Sequence, residues 1–86
     1  MRNASSFLAD MDHSVLQFAD LRSRDPPADQ RASLRWSEFL NVFVKETDIV
    51  FHYCSRPDQW EKLRGSEGFI IARNDEIIAS YVCRMN

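Results

Sequence analysis

The chain is poor in the residues that punctuate or crosslink a fold: its 86 residues include two glycines, three prolines, two cysteines and two histidines. Gly65 and Gly68 cannot build a phosphate-cradling loop, which needs several glycines leading into a helix. Cys54 and Cys83 stand far apart in sequence and do not form the close ligand pair that a structural zinc site uses. With no export signal in view, both are expected as free, core-packed thiols. Long apolar runs are also missing. Phe7-Leu8-Ala9 is broken at once by Asp10 and Asp12, so no signal-peptide core or membrane span is read there, and a cytoplasmic chain with no membrane partner is expected. Nor does one sign of charge dominate. Eleven basic and thirteen acidic residues leave a net charge of −2, which argues against a nucleic-acid coat or a polybasic membrane binder.

What the chain does have is large apolar side chains. Hydrophobic residues make up 44% of it, with six Phe, two Trp and two Tyr, enough for one folded domain over residues 1–86. Phe7, Leu8, Met11, Val15, Phe18 and Ala19 recur at helical spacing and predict a helix over about 6–22, capped by Ser5 or Ser6. Asp25-Pro26-Pro27 ends it and starts a second, antiparallel helix over about 27–45. The inner face of that helix is Ala32, Trp36, Phe39, Leu40 and Phe43, and its outer face carries Arg31, Arg35 and Glu38. Ile49 to Cys54 is rich in β-branched and aromatic residues and predicts a strand over 49–54, the alternative being a continuation of the second helix. Ser55-Arg56-Pro57-Asp58 opens a short helix over about 57–64, stopped by Gly65, with Trp60 and Leu63 as its buried pair.

The strongest β signal comes last. Strands 69–73 and 76–83 flank Asn74-Asp75, two residues that accept positive φ and suit a tight hairpin turn. Simple alternation puts Phe69, Ile71, Ile78 and Val82 on one face, and Ile70, Ala72, Ile77, Ala79, Tyr81 and Cys83 on the other. Both faces are apolar, so the hairpin is either covered on both sides or offers one side to another chain. The fold class is therefore α+β: two N-terminal helices, a strand, a short helix and a C-terminal hairpin forming a small antiparallel sheet.

Chemistry-bearing constellations are sparse. His52 and Cys54 share a strand face, with Cys83 and His13 elsewhere, but no second close pair completes a metal set, so no metal or cofactor is expected. Neither cysteine begins a helix, where the dipole would activate it, and no catalytic residues are assigned. Arg22, Arg24, Arg31 and Arg35 gather around the turn between the first two helices as a candidate anion patch. Acidic neighbours offset it, residues 25–48 carrying three basic and five acidic side chains. The run from Gly68 to Val82 resembles the central hairpin of the GNAT family of N-acetyltransferases, over under a fifth of the chain. In that family the next strand and a glycine-containing loop bind acetyl-CoA. No such elements are read between Val82 and Asn86, and no site residues are carried over.

These observations lead to a small non-enzymatic interaction or regulatory module whose partner is another protein or a second copy. Its expected interface is Phe69, Ile71, Ile78, Tyr81 and Val82. The alternatives are a nucleic-acid-binding regulator using the four arginines and, behind it, a metal-binding or acetyltransferase-like fragment.

Overall fold

Residues 3–85, described by the computed structural model, run α1 (Ala4–Leu8), β1 (Met11–Leu16), α2 (Phe18–Arg22), α3 (Gln30–Val42), β2 (Asp48–Ser55), α4 (Pro57–Glu61), β3 (Ser66–Arg73) and β4 (Glu76–Met85). The outermost residues of the 1–86 span lie outside the described residues. The four strands form one antiparallel sheet in sequence order, β1-β2-β3-β4. The architecture is α+β with a C-terminal hairpin, as the pattern of residues implies. Asn74 and Asp75 both adopt positive φ, 52° and 65°, which a two-residue hairpin turn requires and which Asn and Asp tolerate. Residues 49–54 are strand, within β2.

The first predicted helix is not continuous. Where helix was expected over 6–22, the chain makes α1, then β1, then α2. Met11-Asp-His-Ser-Val-Leu16 contains no strong helix former apart from its terminal Met and Leu, and six residue pairs with β2 give its backbone a ladder instead. The helical stripe was accidental: Val15 is 64% exposed, whereas Leu21, which lay off the stripe, is fully buried. Asn3, not Ser5 or Ser6, caps α1, its side chain accepting from the Ser6 N–H. With the first helix broken, no pair of long antiparallel helices forms.

The second helix starts and stops inside its predicted span. Asp29 is the cap, accepting from the Ala32 N–H at 2.9 Å, so Asp25-Pro26-Pro27 serves as connector. At the other end the Asp48 carboxylate accepts from the Val44 N–H at 2.8 Å and draws residues 44–47 into a turn. Gly65 does not stop α4. Leu63 does so, at φ 58°, with Leu63 N–H donating to the Trp60 carbonyl and Arg64 N–H to the Gln59 carbonyl, the paired bonds of a Schellman ending. Leu63 is consequently exposed rather than paired with Trp60 in the core. Gly65 is needed for another reason: a Cβ there would run into the Trp60 indole.

Two cores lie on opposite faces of the sheet. On one, Val50, Phe69 and Ile71 pack with Leu21 of α2 and with Trp36 and Phe39 of α3. On the other, Tyr53, Ile70 and Ala72 pack with Ala4 and Leu8 of α1. Burial of a side chain such as Ile70 or Ile71 favours the fold by roughly 1.5–3 kcal/mol. The hairpin faces differ from simple alternation. Ile71 faces Ala79 while Ala72 faces Ile77, so Ile78 is a bulge residue. This extra residue turns Ala79 and Tyr81 to the α3 side, alongside Ile78.

Candidate functional site

Asp48 is the most strongly held ionisable group among those described. It opens β2 directly opposite Arg73, the last residue of β3, and its side chain has no exposed surface. Arg73 donates from Nε to Oδ1 at 2.7 Å and from Nη2 to Oδ2 at 3.0 Å. Thr47 Oγ1 donates to Oδ1 at 2.9 Å. The Arg73 hydrogen bonds hold the carboxyl down to about 2, burial opposes this, and the Val44 and Thr47 donors add to the lowering. A carboxylate so fully paired pins two strand ends together and is a poor proton acceptor.

Beside this pin lies a depression of about 900 Å³, between the end of β1, α2 and the chain leaving α3. Phe18 stacks on Phe43 with ring centroids 4.0 Å apart and planes 2° from parallel. Leu16, Val50 and Ile49 extend the apolar lining, and Arg22 and Lys45 supply cations. The sequence reading missed this groove because it ran residues 6–22 as one helix. The hint available was the Leu16-Gln17-Phe18 junction, where a strand gives way to α2 at Gln17.

The other end of the sheet gathers His52, Glu67 and Arg84. Arg84 forks onto Glu67 with contacts of 3.2 and 3.3 Å, and His52 Nε2 lies 3.6 Å from the same carboxylate. The Arg84 guanidinium also sits 5.1 Å from the Trp60 ring centre. Cys54 and Cys83 are free thiols. Cys54 is half-buried, but Cys83 is exposed instead of core-packed, because it is the extra residue between the Gly68–Val82 and Glu67–Arg84 pairs. Even so, partial burial and the Glu67 charge push its thiol up, with Arg24 and Arg84 pulling the other way. This is opposite to the activation a nucleophilic cysteine needs. His13 projects from the opposite sheet face, against Phe51. Among the described residues, no three His, Cys, Asp or Glu side chains gather to hold a metal ion.

The expected interface residues fall into two groups. Phe69 and Ile71 are 3% and 0% exposed, sealed under α2 and α3, so these two belong to the core and not to a free face. Ile78 and Tyr81 are half-buried against the same core, Tyr81 donating to the Ala32 carbonyl at 3.3 Å, and Val82 is 42% exposed. The four arginines are spread out. Arg24 lies over the Phe69 ring at 5.0 Å, Arg22 borders the large groove, and Arg35 borders a separate trough between α3 and β4. Arg31 is exposed on the first turn of α3.

β4 is the outer strand on its side of the sheet, ten residues long and paired on one edge with β3. Val82, Cys83, Arg84 and Met85 are exposed along it. The trough beside it, about 450 Å³, is lined by Arg35, Glu38, Phe39 and Val42 of α3 and by residues 79–82 of β4. On the far side, β1 is the other outer strand, with Asp12 to Val15 exposed. None of the described helices is long and apolar enough to cross a membrane. Compared with known protein families, with curated proteins and with solved structures, the chain matches none.

Proposed function

We propose that this protein is a small non-enzymatic interaction module that works by strand addition at β4, and that its partner is a second copy of the same chain. The carrying observation is the outer edge of β4: Glu76 at its start bridges to Asn3, and beyond it, among the described residues, no further strand pairs with this edge, which has neither Pro nor Lys to blunt it. The strand also has a charge order suited to antiparallel self-pairing. Glu76 begins it and Arg84, forked onto Glu67 of its own chain, lies near its end, so a two-fold pairing centred near Ser80 gives Arg84 of each copy a second acidic neighbour, Glu76 of the other. Ala79 to Val82 is the regular stretch between the two bulges, and it adjoins the trough beside α3, which can receive side chains of the incoming strand. The short length of that stretch makes the association reversible. Free thiols at Cys54 and Cys83 fit a reducing, cytoplasmic setting.

Sedimentation velocity across a wide concentration range tests the proposal. The wild-type chain is expected to shift reversibly from monomer to dimer. Val82→Lys, which puts a charge on an exposed edge position, is expected to remain monomeric with its fold intact. A wild-type chain that stays monomeric throughout, or a dimer indifferent to Val82→Lys, overturns it.

A further inference from the structure

We infer that the groove between β1, α2 and the chain leaving α3 is a binding site for an amphipathic carboxylate, a molecule with an apolar body and one acidic head. This inference is independent of the β4 edge, since the groove lies at the β1 side of the sheet. Its volume of about 900 Å³ is in the range of small-molecule sites. The stacked Phe18 and Phe43 rings form one apolar wall, continued by Leu16 and Val50 on the same face of the sheet. Water against these surfaces is displaced favourably by a hydrocarbon body.

The sign of the head follows from the charges. Among the described residues Asp48 is the only acidic one in the lining, and Arg73 already neutralises it through two hydrogen bonds. Arg22 and Lys45 line the same groove, and among the described residues neither has a carboxylate within ion-pair distance. The groove therefore presents two uncompensated cations beside an apolar wall. An inorganic anion would satisfy the cations and leave the wall wet; a cationic amphiphile would cover the wall and be repelled at the head. An apolar molecule with a carboxylate meets both demands.

Dodecanoate below its micellar concentration is the probe, with acetate and dodecyltrimethylammonium as controls, followed by calorimetry and by backbone amide shifts of the full chain. The expected result is saturable binding of one dodecanoate, with the largest shifts at residues 15–23 and 43–50. Acetate and the cationic amphiphile bind at least about tenfold more weakly. Arg22→Glu with Lys45→Glu, both at exposed positions, weakens dodecanoate about tenfold and leaves the circular dichroism spectrum unchanged. If the double variant is poorly folded, single Arg22→Gln and Lys45→Gln variants provide the same reading. The inference is overturned if dodecanoate gives no saturable binding, if shifts map away from the groove, if the cationic amphiphile binds equally well, or if the charge variants leave affinity unchanged.

Discussion

At the scale of the residue, Asp48 shows how one side chain serves three elements. It ends the α3 exit by accepting from Val44, opens β2, and holds the end of β3 through Arg73. Asp48→Asn keeps the shape but loses the charge that meets the guanidinium. Because Arg73 is 39% exposed and can recover water, the expected loss is moderate, roughly 1–3 kcal/mol in urea unfolding. The pH dependence has a definite sign. The Asp48 carboxyl lies at about 2 in the folded chain, below its value of 3.8 in a free side chain, so its contribution is fully present above the unfolded value and disappears as pH falls from about 4 towards 2. Acid titration of stability should therefore show a drop in that window that Asp48→Asn removes. Leu63 is the converse case, a residue in the wrong conformation. It holds φ 58° at an exposed position where glycine pays no steric penalty. Leu63→Gly is expected to raise stability by about 0.5–1 kcal/mol, measured as a shift in denaturation midpoint with an unchanged slope.

Among the elements, α1 is the one held most by specific hydrogen bonds. Its five residues pack on part of the second face of the sheet, over Tyr53, Ile70 and Ala72, and they are tied to the hairpin turn by Ala4 N–H donating to the Asp75 carbonyl at 2.7 Å. Ser5 adds its N–H and hydroxyl to Asp75 Oδ1 at 3.0 and 2.7 Å, and these bonds, with help from Asn3, hold the Asp75 carboxyl below the usual range. Asp75→Ala should loosen α1 alone: amide exchange of residues 4–8 is expected to speed up by about tenfold while β3 stays protected. The turn itself was legible from Asn74-Asp75, and so were β2, β3, β4 and the buried face of α3, because dense β-branched and aromatic runs and a clear 3.6-residue stripe each leave little choice of conformation. β1 was not legible. Its residues favour neither conformation strongly, and only the free edge of β2, about forty residues later, decides that they extend. The groove inherits that blindness, since it exists only where β1 ends and α2 begins. The bulge at Ile78 likewise has no local signature, and it moved Ala79 and Tyr81 to the opposite face from the one alternation predicts.

On the scale of the whole molecule, α2 and α3 cover one face of the sheet, α1 covers part of the other, and β1 and β4 are its outer strands. The apolar excess of the hairpin is absorbed within the chain: Phe69 and Ile71 meet α2 and α3, and Ile70 and Ala72 meet α1. On the proposed reading a partner adds at an edge, where backbone groups of β4 beyond Glu76 lack a neighbouring strand among the described residues. Positions on the two faces were read in the sequence as an interface, but strand order and coverage depend on contacts between distant segments. The most direct measurement is an isotope-filtered NMR experiment on a mixture of labelled and unlabelled chains. Strand addition at β4 predicts contacts between copies that centre on Ser80, with Ala79 of one chain near Tyr81 of the other. Contacts between copies that avoid β4, or none at concentrations where the chain is dimeric, would contradict it.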